Sequence, residues 1–179
     1  MNARSSILPV MLGLIVSAAS APAAEAPVAP APPAPAAPKD PATPTAPALD
    51  FGNSSSETLT TKAWDALNAK NYPNAKAFAR KCIELYKDKA VEMQKGLAAP
   101  ATVKEEVHKS WALNDVGTCH FILGQALEGE GKGQEAITPY KFLTENLSYA
   151  QCWDTKGWFW KPAEAARERV KALEFDALK

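Results

Sequence analysis

His120-Phe-Ile-Leu-Gly-Gln-Ala-Leu127, then the breaker Gly131-Lys132-Gly133, then Ala136-Ile-Thr-Pro-Tyr140, is the stretch that decides the fold of this chain. His120, Leu123 and Leu127 recur at spacings of three and four, which places them on one face of a helix. The glycine pair ends that helix, and Ala136 with Tyr140 marks a second one running back. Gly124 and Ala136 are small residues twelve positions apart, where two antiparallel helices must approach closely. The stretch therefore predicts a helical hairpin with Gly124 at its tightest point.

Upstream, Ser54-x-x-Glu57 has the form of a capping box and predicts a helix starting near Ser55 and ending at Asn71. Leu59, Ala63, Ala66 and Leu67 form its apolar face, with Trp64 on a flank. Tyr72-Pro73 opens a second helix, because proline is suited to a first turn. Tyr72, Ala75, Ala79, Cys82, Tyr86, Ala90, Met93 and Leu97 make one long apolar stripe that Gly96 and Pro100 stop. A third helix is predicted over 102–130, carrying Val103, Val107, Trp111, Phe121, Leu123 and Leu127. The fourth covers 134–147, with Pro139 inside it as a kink, and the fifth begins at Pro162. No segment alternates as a β-strand does.

The spacing His120-x-x-Leu123-Gly124-x-x-Leu127 followed by Ala136-x-x-x-Tyr140 resembles the tetratricopeptide repeat, W-x-x-L-G-x-x-Y and then A-x-x-x-F. Ala63 and Ala75 repeat the twelve-residue interval, and Cys82 falls where the family has its second alanine. The resemblance covers about residues 57–150. It implies an all-α fold of stacked antiparallel helical hairpins with a concave face for a peptide or protein segment. Ala75 and Ala136 are 61 apart instead of the family's 34, so the second and third helices are expected to be elongated. Two units form an incomplete array, and the helix from Pro162 is expected to cap it.

Ser148 to Pro162 (SYAQCWDTKGWFWKP) is too apolar for a plain loop. The expectation is a lid that seals the end of the stack, with Trp153 and Trp160 buried and Trp158 facing solvent. The alternative is an aromatic platform on which Trp153, Trp158 and Trp160 take a sugar ring, since flat C–H faces lie well on indole. This segment looks like the C-terminal tail of small exported bacterial tetratricopeptide proteins, some of which carry β-glucanase-precursor labels. No glucanase pattern is present. Asp115, Asp154, Glu128 and Glu130 sit in no diagnostic motif, and His108 and His120 form no metal pair. The reading is a non-enzyme with no cofactor and no metal site. His120, at the first large position of the repeat, is expected in the core.

Three cysteines leave one unpaired. Cys119 and Cys152 lie at ends that an antiparallel hairpin brings side by side, which predicts a Cys119–Cys152 disulfide with Cys82 buried as a thiol. Cys82–Cys119 is the competing pair.

The N-terminal third has a different character. Arg4 precedes the uncharged apolar run Ile7 to Ala18, and small residues follow. That is the pattern of a signal peptide over 1–24, cut between Ser20 and Ala26. The run is shorter than the ~20 residues of a membrane span. Residues 22–49 are mostly proline and alanine and predict an extended, unfolded spacer. The chain is thus expected in the periplasm or secreted, with 50–179 as its folded domain. Twenty basic and twenty acidic residues, interspersed, leave no basic stripe for nucleic acid. The function expected is a protein- or peptide-binding scaffold in the bacterial envelope; a carbohydrate- or cell-wall-binding module is the runner-up and a hydrolase the third reading.

Overall fold

Ser55 starts the first helix, α1 (Ser56–Asn68): its hydroxyl oxygen accepts from the Thr58 N–H at 3.2 Å. The cap lies one residue later than the capping box predicts. Ser54 is held at φ +57°, and its carbonyl accepts the Tyr86 hydroxyl at 2.9 Å, so it is engaged before the helix begins. Asn71 caps α2 (Tyr72–Lys95) through the Asn74 N–H, Pro73 sits in its first turn, and Gly96 ends it. This computed structural model describes residues 48–154 and 158–179, without the side chains of 153 and 154. The expected signal peptide and almost all of the expected Pro/Ala spacer lie outside the described residues.

The long third helix of the sequence reading is two helices, α3 (Lys104–Lys109) and α4 (Trp111–Gly129), hinged at Ser110. The Asn114 side-chain amide donates to the Val107 carbonyl at 2.7 Å, so a side chain takes a bond that helix backbone would otherwise make. The expected long second helix is the 24-residue α2, whereas the expected long third helix is divided, with the six-residue α3 in the connection to α4. The next helix, α5 (Gly133–Asn146), continues through the buried Pro139, and α6 (Pro162–Asp176) begins at its proline. Between them lies an unpredicted antiparallel hairpin of β1 (Cys152–Asp154) and β2 (Trp158–Trp160), with Cys152 opposite Trp160. Each strand has three residues, too short for alternation to declare itself.

The described domain is all-α apart from this hairpin. Helices α1 and α2 pack together, α2 packs along α4, α4 against α5, and α5 against α6; α4 also touches α1 and α6. Helix α4 is therefore central and buried on most of its circumference, from Ala112 to Leu127. Ala63, Ala75, Cys82, Ala136 and Tyr140 have no exposed surface, His120 and Leu127 are buried, and Leu123 is partly covered. At Gly124 an added Cβ would run into the Tyr140 ring, which is the close approach the sequence locates. Gly117 plays the same role against Ala150, and Gly129 against Tyr72, at positions the sequence reading passed over.

Two polar features serve this packing. The Tyr140 hydroxyl donates to Glu128 Oε1 at 2.7 Å, and Arg169 of α6 grips the same carboxylate through two nitrogens. Burial raises the Glu128 pKa, but the Arg169 and Tyr140 hydrogen bonds outweigh it and hold the carboxyl below its usual range. The network joins α4, α5 and α6. His120 lies flat on Phe142, with ring centroids 4.5 Å apart, and neither ring nitrogen has a hydrogen-bond partner among the described residues. Burial, then the Lys87 charge, lowers its pKa to about 4, so it serves as a neutral aromatic core residue.

The expected Cys119–Cys152 disulfide is not formed. Cys119 sits near the middle of α4, not at an end, and its Sγ lies 3.3 Å from Thr60 Oγ1 of α1. The same hydroxyl is 3.8 Å from Cys82 Sγ, so Cys119 turns toward Cys82, while Cys152 belongs to the hairpin. Burial, then the adjacent Cys82 sulfur, pushes the Cys119 thiol well above its usual pKa. Alkylation of the native protein is expected to label the partly exposed Cys152 first, with Cys82 and Cys119 reacting only as the domain unfolds. Rapid native labelling of Cys119 would contradict this packing.

Candidate functional site

Between α1, α3 and the first half of α4 the surface opens into a cleft of about 700 Å³, a size ordinary for ligand sites. Helix α1 and its cap supply Ser55, Ser56, Glu57, Thr60, Thr61 and Trp64. Tyr86 enters from α2, His108 from α3, and Trp111, Asn114, Asp115 and Thr118 from α4, while Gln151, Cys152 and Phe159 close the hairpin side. The i, i+4 spacing of Trp111, Asp115 and Cys119 explains why one face of α4 carries a rim aromatic, a carboxylate and then the core.

The aromatic side chains pack in pairs. Tyr86 and Trp111 meet edge to face at 5.7 Å, and His108 and Phe159 at 5.9 Å. Trp64 touches Trp160, at 6.4 Å, which rests in turn on Phe121 at 5.2 Å. Trp111, one of the apolar positions of the expected third helix, is 44 % exposed at the mouth of the cleft. The α3–α4 break frees it: as the first residue of α4 it stands where the two helix axes part.

Asp115 is the distinctive polar group. It is partly buried, and its Oδ2 accepts the Ser56 hydroxyl at 2.5 Å. Desolvation raises its pKa, the Ser56 hydrogen bond lowers it, and the nearby Glu57 charge raises it again; the net shift is upward. Among the described residues no Lys or Arg pairs with it. Because the folded-state pKa lies above the unfolded 3.8, Asp115 favours the fold most below that value, and the contribution is lost as pH rises through the folded pKa. Asp115→Asn is therefore expected to raise Tm by roughly 2–5 °C at pH 7, with the gain shrinking toward pH 3.8. Thermal melts of both proteins across that range check it; a destabilised variant at pH 7 would show that the carboxylate is structural.

The other polar groups of the lining are engaged in holding the walls. Asn114 donates to Val107 O and accepts from the Gln151 N–H at 2.9 Å, and the Gln151 amide donates to Ala101 O at 2.7 Å. Thr118 donates to Asn114 O, Tyr86 to Ser54 O, and Thr60 lies between the two buried thiols. Asn114 is thus a positioning residue that ties α3, α4 and the hairpin approach together.

Compared with known proteins, this chain matches no family model, no curated protein and no solved structure.

Of the aromatic residues singled out in sequence, Trp160 packs against the core and Trp158 is 53 % exposed, while the side chain of Trp153 lies outside the described residues. Phe159, between the two tryptophans, lines the cleft. Asp115 appeared in the sequence only as one undistinguished carboxylate. Its partner Ser56 lies 59 positions away, and no local signal connects them. Among the described residues no three His, Cys, Asp or Glu side chains gather as a metal site, and no helix is long and apolar enough to cross a membrane.

Proposed function

We propose that this chain is an exported helical-repeat protein of the bacterial envelope, and that its domain binds a peptide or protein segment in the Asp115 cleft. The observation that carries the reading is the cleft itself: five aromatic side chains and two carboxylates around about 700 Å³, with walls fixed by buried hydrogen bonds. A tetratricopeptide-like array of two hairpins, α1–α2 and α4–α5, capped by α6, is supported by the packing order of the helices and by Gly124 against Tyr140. Export to the periplasm or beyond rests on the N-terminal leader pattern alone. No catalytic role is proposed, because Asp115 and Glu57 occupy no recognised acid–base arrangement.

The test is affinity capture from an envelope extract with wild type and with Trp111→Ala, whose partly exposed ring can be removed without opening the core. A partner retained by the wild type and released by Trp111→Ala supports the reading. A partner held equally by both places binding elsewhere. The exposed Trp158 favours a second reading, a cell-wall-binding module. Retention on insoluble glucan or peptidoglycan that Trp158→Ala abolishes would establish it.

A further inference from the structure

We infer that the cleft recognises a cation: the ammonium or guanidinium group of a Lys- or Arg-bearing peptide segment, held by Asp115 between the Trp64 and Trp111 walls. The inference rests on the peptide-binding reading and adds the chemistry of the bound side chain.

Charge gives the first argument. Among the described residues the lining contains Glu57 and Asp115 and not one Lys or Arg. Elsewhere the described surface pairs its charges freely: Lys76 and Lys132 with Glu130, Arg169 with Glu128, Lys141 with Glu174. Asp115 keeps a carboxylate partly removed from water with one hydroxyl as its hydrogen-bond donor, so acceptor positions remain open toward the cleft. A carboxylate so placed pairs favourably with a cation that arrives from outside.

The second argument comes from donors and acceptors. A sugar or a neutral peptide would ask the site for both. The amides of Asn114 and Gln151 and the hydroxyls of Tyr86 and Thr118 already donate within the fold, and the Ser56 hydroxyl donates to Asp115 itself. Thr61, His108 and the indole N–H groups of Trp64 and Trp111 also line the cleft, but the charged acceptors among the described lining residues are the two carboxylates. Their complement is a dense donor, as ammonium and guanidinium are.

The third is the aromatic wall. Indole and phenol faces attract cations through the ring quadrupole, Trp most of all. Trp64, Tyr86 and Trp111 line the same volume as Asp115, and Lys and Arg stems bury their methylenes against such surfaces while the charged head reaches the carboxylate. The cleft is larger than one side chain needs, which leaves room for the backbone on either side.

The experiment uses the full chain and four otherwise identical uncharged hexapeptides with a central Lys, Arg, Gln or Glu, titrated by tryptophan fluorescence and calorimetry. The Lys and Arg peptides are expected to bind at least about tenfold tighter than the Gln peptide, with the preference shrinking as salt rises. Asp115→Asn should remove the preference while leaving the residual binding of the Gln peptide. Trp111→Ala should weaken all four. Equal binding of Lys and Gln peptides, or a preference for Glu, overturns the cation inference and leaves the peptide-binding reading intact. Failure of all four to bind, with cello- or peptidoglycan oligosaccharides perturbing the tryptophans instead, overturns both. Should Asp115→Asn misfold, Asp115→Glu is the second variant: it keeps the charge and is expected to keep the preference for cations.

Discussion

Gly124→Leu is expected to abolish the folded domain or to lower its Tm by at least about 10 °C. Even a Cβ at this position would meet the Tyr140 ring. The ring cannot swing away cheaply, because its hydroxyl is tied to Glu128 and Glu128 is gripped by Arg169. Over-packing costs about 1–3 kcal/mol where a core can shift. Here the shift would separate α4 from α5 and strain the join to α6, so the upper end or beyond is expected. About 3 kcal/mol corresponds to roughly 10 °C for a domain of this size. A coupling measurement separates this contact from a general intolerance of α4. Gly124→Ala should destabilise less in a Tyr140→Leu background than alone, since the obstructing ring is then gone. Additive effects, or a Gly124→Leu protein that melts like wild type, would refute the contact.

The second large effect is expected at Trp160, with Trp158 as its contrast. Trp160 packs against Trp64 and Phe121, joining the hairpin to α1 and α4. Removing a packed Trp side chain costs about 3–5 kcal/mol, and Trp160→Ala is placed at the lower end because its ring is only partly buried. Trp158 is more than half exposed, so Trp158→Ala should change stability by less than about 0.5 kcal/mol. Urea unfolding followed by far-UV circular dichroism reads both. Equal losses at the two positions would mean that the hairpin packs differently. Loss of Trp160 should also weaken ligand binding, because Trp64 would lose the ring that braces it.

Where the chain carries local chemistry, the elements were legible. Prolines at 73 and 162, Asn71 before Tyr72, and glycines at 96, 131 and 133 mark helix ends through backbone preferences that act within a few residues. Gly124 and Ala136 disclosed a close helix pair because only small residues allow it. The break at Ser110 was illegible, since it depends on one Asn114 amide reaching Val107 and not on a glycine or proline. The hairpin was hidden for a similar reason: Trp158-Phe159-Trp160 reads as apolar composition, and three residues carry no period. The disulfide was misplaced because pairing by element ends ignores which way a helix turns its side chains. Cys119 turns to Thr60 and the Cys82 side of the core.

The cleft was the least legible part, because its walls come from four helices and the hairpin. Asp115 acquires its character only when folding brings Ser56 and Glu57 beside it. Sequence supplied one hint, the aromatic residues clustered in 148–162, but read them as a lid, with a sugar platform as the alternative, and placed Trp111 among the apolar positions of one long helix. The first reading followed from composition, and the second from periodicity applied across a helix that in fact divides at Ser110.

Amide hydrogen exchange of the chain, alone and saturated with the tightest-binding peptide, tests the central claim most directly. The cleft reading predicts added protection in 55–64, 107–118 and 151–160, with α5 and α6 unchanged. Protection confined to the opposite end, around Gly131 to Glu135 and Leu173 to Ala177, where a second, smaller hollow lies, would contradict it.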